Sequence, residues 1–136
     1  MPRPVPFGAI RHEIAFDIPN QLLAGGALDA VTAMAPRYAF EVEDMYYVAH
    51  TVHTGASATK TFTLKRTVDT VATLVVAVAA VGVNGAVVSG ATLTAGNGKY
   101  ADTDTLTVSL NAGTAFTLGA GTLYVRVRQL QQDPAG

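Results

Sequence analysis

The stretch TVATLVVAVAAVGV (residues 70–83) is the most apolar in the chain and the richest in β-branched side chains. Val71, Val75, Val76, Val78 and Val81 are stiff at χ1 and suit a pleated surface better than a helix, so the segment reads as a strand buried on both faces. Thr70, Thr73 and Gly82 interrupt it, and it falls short of the roughly 20 apolar residues that a membrane-spanning helix needs. Turn signals flank it, Thr67-Val68-Asp69 before and Val83-Asn84-Gly85 after. Both residues of Asn84-Gly85 tolerate the positive φ of a type I′ turn, which predicts a hairpin pairing this strand with Ala86 to Leu93.

Outward from that strand the pattern stays β. In Ile10 to Ile18, Ile14, Phe16 and Ile18 alternate with Glu13, Ala15 and Asp17, and Pro19 ends the strand. Tyr38, Phe40 and Val42 alternate with Ala39, Glu41 and Glu43, and after an irregularity at Asp44 the strand continues through Met45 to Val52. Phe62 and Leu64 oppose Thr61, Thr63 and Lys65, which gives a strand with one face to water. Residues 94–103 (TAGNGKYADT) read as a loop, followed by Leu106, Val108 and Leu110 against Thr105, Thr107 and Ser109. Phe116 and Leu118 follow the loop Asn111-Ala112-Gly113, and Leu123, Val125 and Val127 oppose Tyr124, Arg126 and Arg128 on a last strand. Helix competes only in residues 20–34 (NQLLAGGALDAVTAM), where Gly25-Gly26 limits it to short turns.

Many short strands with no sustained helical period predict an all-β fold, a two-sheet antiparallel β-sandwich of jelly-roll-like connectivity. Residues 1–18 form an extended N-terminal arm and first strand, residues 19–130 the sandwich, and residues 131–136 a polar C-terminal tail. The arm rests on Pro2, Pro4 and Pro6, which fix φ and withhold backbone donors.

A chain of 136 residues suits one domain, and at this size it buries roughly two-thirds of the surface that its unfolded form exposes. Only 14% of residues are charged, 49% are hydrophobic and the formal net charge is -1, which argues against nucleic acid or an acidic membrane surface as partner. The low charge and positive mean hydropathy of +0.30 predict that a partner or further copies cover part of the surface. No cysteine is present, so disulfides, thiolate nucleophiles and cysteine metal sites drop out together. The first residues, MPRPVPFGAI, lack a continuous apolar run of the kind a secretory signal carries, so synthesis in the cytoplasm is expected.

The chain offers no catalytic, cofactor or metal constellation. Asp102 and Asp104 are two carboxylates where calcium takes six to eight oxygens, and they read as a turn in which Asp side chains bond nearby backbone donors. His50 and His53 fall on opposite faces of a strand and read as exposed or interface residues, and His12 stands alone. Ser57, Ser89 and Ser109 sit in no nucleophile elbow, Glu41 and Glu43 in a solvated alternation, and Gly96-Asn97-Gly98 and Gly119-Ala120-Gly121 before no helix. The residues singled out for an interface are Tyr124, Arg126 and Arg128 on one face of the last strand, since Tyr and Arg combine apolar area with directed hydrogen bonds.

Residues 36–130 resemble the small β-sandwich proteins of tailed-bacteriophage heads, the capsid decoration or cement proteins. The likeness lies in the aromatic strand after Ala35-Pro36 (Arg37-Tyr38-Ala39-Phe40), the Thr-rich strand from Thr59 to Leu64, the loop leading to Asp104-Thr105-Leu106-Thr107-Val108, and the closing Val125-Arg126-Val127. The resemblance implies a non-enzymatic protein without cofactor. It would sit on the outer capsid surface of the virion, bound to the major capsid protein as a homotrimer at local threefold positions, and would stabilise the head against DNA pressure. The resemblance also implies an arm that adds a strand to a neighbour's sheet edge, which joins Arg11 and the arm residues Pro2, Arg3, Pro4, Val5, Pro6 and Phe7 to the candidate interface. A phage tail, neck or fibre component is the alternative, and a carbohydrate-binding β-sandwich module the second, although without Trp only five tyrosines offer stacking platforms.

Overall fold

The computed structural model describes residues 11–18, 28–34, 36–55, 59–110 and 119–130, with only the backbone of 28–34. The arm residues 1–10, the pair Phe116 and Leu118, and the tail 131–136 lie outside the described residues. Two antiparallel sheets face each other, as the alternation predicts. The first contains β1 (Arg11–Ile18), β10 (Gly121–Gln129), β3 (Phe40–Ala49) and β6 (Val87–Val88) in that order, with β8 (Lys99–Tyr100) also pairing β3. The second runs β2 (Leu28–Met34), β9 (Leu106–Leu110), β4 (Thr59–Arg66), β5 (Asp69–Ala77) and β7 (Thr92–Leu93).

The core follows from the period-two direction of strand side chains. From the first sheet Ile14, Phe16 and Ile18, then Leu123, Val125 and Val127, point inward and are buried. From the second, Phe62 and Leu64, then Leu106, Val108 and Leu110, meet them. Tyr47 and Phe62 stack between the layers at 5.2 Å, and Phe40 stacks on Tyr100 at 4.5 Å. The irregularity expected at Asp44 is a β-bulge: Arg126 pairs Asp44 while Val127 pairs Val42, which leaves Glu43 as the extra residue. Two consecutive side chains, Glu43 and Asp44, therefore point outward before Met45 returns to the core.

The structure corrects several expectations. The strand begun at Thr70 stops at Ala77, and Val78–Val81 turn as a short 3₁₀ helix. It is not buried on both faces: Ala72, Leu74 and Val76 face the core, while Val75 is 59% exposed on the outer side. Valine fits the pleat on either face, so β-branching marks a strand but not its burial. Residues 86–93 do not form one partner strand. Val87–Val88 pair with Tyr47 and Val48 of β3 in the opposite sheet, and only Thr92–Leu93 return to β5. Gly85 has φ 79° but Asn84 stays out of the left-handed region, so the turn is not type I′. Instead Gly85 N–H donates to Ala49 O and Ala49 N–H to Ala86 O, at 2.7 and 2.9 Å, which clips the turn to the end of β3. β3 correspondingly ends at Ala49, before the expected Val52.

Residues 28–34, expected to make short turns, form β2, whose main chain pairs with β9 from Thr32 to Met34 and again at Leu28. Ladder bonds at the sheet edge decide that segment over its weak helical preference. Tyr100, expected in a loop, is buried and forms part of the core. Lys60, two residues before Phe62 and on the same face, is also buried, and desolvation pushes its pKa down.

At the start of β10 the chain passes so close to β3 that a Cβ on Gly121 would land on the Tyr47 hydroxyl and the Val48 carbonyl. A backbone oxygen cannot step aside as a flexible side chain does. Gly121→Ala is therefore expected to lower stability by about 1–3 kcal/mol in urea unfolding, the range for overpacking a core.

Candidate interaction face

Register sets the outer surface of the first sheet. Arg11, Glu13, Ala15 and Asp17 of β1 lie opposite Arg128, Arg126, Tyr124 and Thr122 of β10. These in turn lie opposite Glu41, Asp44, Tyr46 and Val48 of β3. Arg11, Tyr124, Arg126 and Arg128, singled out from the sequence, thus come together on one face. Pro2, Arg3, Pro4, Val5, Pro6 and Phe7 lie outside the described residues.

Directed contacts organise this face. Arg11 and Arg128 are like charges on directly opposite positions, and each is drawn to a different carboxylate. Arg11 Nε donates to Glu43, the bulge residue, at 2.8 Å, and Arg128 donates to Glu41 at 3.0 Å. Arg11 is 60% exposed, so its pair belongs to the solvent-screened class that contributes little to stability. Tyr46 and Tyr124 stack at 5.1 Å and 19° between planes. The Arg126 guanidinium stands 5.2 Å from the Tyr46 ring centroid, a cation–π distance, and makes no ion pair among the described residues. The Tyr46 hydroxyl donates to Glu13, and that hydrogen bond, with burial and the nearby carboxylate charge behind it, raises the Tyr46 pKa. Two shallow depressions flank Arg126. One, of about 280 Å³, is lined by Arg11, His12, Glu13, Glu43, Arg126 and Val127. The other, of about 230 Å³, is lined by Asp44, Tyr46, Val87, Ser89 and Arg126.

Tyr46, Glu13 and Asp44 were not singled out from the sequence. Their signal lies in the register between strands, which alternation within one strand does not contain. What the face can do is recognise: aromatic area, a guanidinium and fixed carboxylates at known spacing suit a protein surface.

The remaining candidates are dispersed. Asp104 accepts the Ala101 N–H at 2.8 Å and donates its own N–H to Ala101 O, which closes a turn as expected. Among the described residues no three His, Asp or Glu side chains gather as a metal site. His50 is exposed and bonds the Thr122 hydroxyl at 2.5 Å. His53, expected at the surface or an interface, is instead buried beside the Gly119 backbone, its ring edge-on to Tyr47. Its Nδ1 lies 2.8 Å from the Thr51 carbonyl, which only accepts, so that nitrogen carries the proton. Nε2 then accepts from the Tyr47 hydroxyl at 2.7 Å. Burial favours the neutral ring and lowers the His53 pKa, against the raising effect of the Thr51 bond.

Comparison with protein-family models, with curated proteins and with solved structures returned no match.

The neutral His53 makes stability depend on pH. Its folded pKa lies below the unfolded value of about 6.5, so the unfolded chain binds the proton more readily in that window. The His53 contribution is complete above about pH 6.5 and declines as pH falls through the folded pKa. Urea unfolding between pH 7.5 and 5 is expected to show this loss, and His53→Gln to flatten the slope whatever its effect on stability at pH 7.5.

Proposed function

We propose that this chain is a non-enzymatic structural protein that binds the outer surface of a bacteriophage capsid, as a trimer at local threefold positions, and stabilises the head against the pressure of packaged DNA. The observation that carries the reading is the organised outer face of the first sheet, where Tyr46, Tyr124 and Arg126 form one stack between ordered ion pairs. Tyr and Arg are the residues that concentrate binding energy at protein interfaces. Strand pairing supports the jelly-roll part of the reading. β1 pairs β10, β2 pairs β9 and β3 pairs β8, as in one long hairpin wound around a shared core. The major capsid protein is the partner in this reading, and repetition around a shell turns modest single-site affinity into avidity. The protein needs no cofactor, and its place is the virion surface after synthesis in the host cytoplasm.

A carbohydrate-binding role is the second reading, favoured by the stacked tyrosines beside the depression that holds Asp44 and Ser89. Arg126 lies over one of those rings, which leaves less aromatic face for a sugar.

Light scattering of the purified chain is expected to give a trimer, and co-sedimentation with undecorated heads to give saturable binding. Arg126→Gln, which removes the charge at an exposed position without setting a carboxylate against Glu13 and Asp44, is expected to weaken head binding about tenfold while costing the fold no more than about 1 kcal/mol, the worth of an exposed cation–π contact. A monomer that ignores heads but binds a glycan array would replace this reading with the second.

A further inference from the structure

An edge strand exposes a row of backbone donors and acceptors, and natural sheets guard such edges with prolines, bulges, inward charges or short strands. Among the described residues, β6 and β7 are guarded by having two residues each, and β2 by a shift in its register. β1 has none of these devices. Its eight residues contain no proline, they pair with β10 in unbroken register, and Ile14, Phe16 and Ile18 point inward. β10 occupies one side of β1, and no other described strand occupies the second.

We infer that the free edge of β1 pairs with β1 of a second copy, antiparallel and centred on Ile14, so that the first sheets of two molecules join into one. Charge selects the register. The outward side chains in order are Arg11, Glu13, Ala15 and Asp17. Keeping inward faces together allows only shifts that place residues of like parity opposite one another. Centring on Ile14 sets Arg11 against Asp17 of the second copy, twice by symmetry, and Glu13 against Ala15. Moving the centre to Glu13 sets Glu13 against itself, and moving it to Ala15 sets Glu13 against Asp17. Like charges directly opposite destabilise a ladder, so of the two registers with the fullest overlap of the strand, those centred on Ile14 and on Ala15, only the Ile14 register opposes unlike charges; centring on His12 also sets Arg11 against Glu13 but leaves only Arg11 to Glu13 paired. Arg11 is 60% exposed and bonds Glu43 through Nε alone, which leaves its terminal nitrogens for Asp17.

This contact goes beyond the decoration reading. It is twofold, and on a trimer it links one trimer to the next.

The chain has no cysteine, so introduced pairs report without background. Directly opposed residues in an antiparallel ladder have Cα atoms about 4.5–5.5 Å apart, within disulfide reach. The full chain carrying Glu13→Cys with Ala15→Cys is expected to form a covalent dimer on mild oxidation, and Glu13→Cys alone to form little. Arg11→Asp and Asp17→Arg, each alone, are expected to weaken association by about tenfold in sedimentation, and an equimolar mixture of the two to restore it. Ala15→Lys, facing Glu13 of the second copy, is expected to tighten association, a gain that misfolding does not produce. Absence of the cross-link, or loss of association without rescue on mixing, overturns the inference. Head binding by the unsubstituted chain without a cross-link from the cysteine pair would refute the edge pairing and leave decoration standing, and a cross-link from that pair with an unsubstituted chain that ignores heads would do the reverse.

Discussion

The structure depends on the insertion of β10 between β1 and β3. Every residue of β1 pairs with β10, from Arg11 with Arg128 to Ile18 with Gly121, so the first described strand has its ladder only when the last one arrives. β3 is paired with the other side of β10 over nearly its full length. Closing loops of this span costs chain entropy before any contact rewards it, which is the reason sandwiches fold slowly for their size. Gly121 lets β10 lie against Tyr47 and Val48, and Gly119 leaves room for the His53 ring.

Those two glycines and the Tyr47–His53 hydrogen bond form one unit of packing. A buried imidazole is costly unless both nitrogens are satisfied, and here a backbone carbonyl and a phenol satisfy them. The phenol in turn stacks on Phe62 of the opposite sheet, so a polar pair ties the two layers together where a purely apolar contact would leave their relative position less defined. Burial raises the Tyr47 pKa, which keeps its hydroxyl protonated as the donor that the neutral histidine requires.

Alternation made β1, β4, β9 and β10 legible in the sequence, together with the face of β10 that bears Tyr124, Arg126 and Arg128, because side-chain direction in a strand is a local property. The bulge was legible for the same reason: Val42 and Met45, both core-sized, are three apart and share a face only if one residue is extra. The two-residue strands were not legible, since Val87–Val88 and Thr92–Leu93 look alike locally and part company only because different sheets offer them ladders. Tyr100 was hidden in a related way: the Gly and Asn around it read as a loop, while its ring fills a core position against Phe40. The interaction face was half legible: its arginines stood out by type, but Glu13, Asp44 and Tyr46 join them only through the register of three strands.

That register also decides what the face is built for. Its ion pairs are partly exposed, with Arg128 and Glu41 about a third open to solvent, so they stabilise the fold little. They do fix side chains. Arg128 on Glu41, Arg11 on Glu43 and Arg126 over Tyr46 each remove rotamer freedom before any partner arrives, and the Glu13–Tyr46 hydrogen bond holds the central ring. A surface that has already lost this freedom does not lose it again on binding, and immobilising a long side chain at an interface costs on the order of 1 kcal/mol. The same reasoning separates the two halves of the first sheet. The β10–β3 half pairs Arg128 with Glu41, lays Arg126 over Tyr46 and presents aromatic area. At the β1 edge, among the described residues, Asp17 accepts only a long bond from Thr122 at 3.3 Å and Arg11 bonds Glu43 through Nε alone, so opposite charges with capacity to spare lie beside the unpaired side of the β1 ladder.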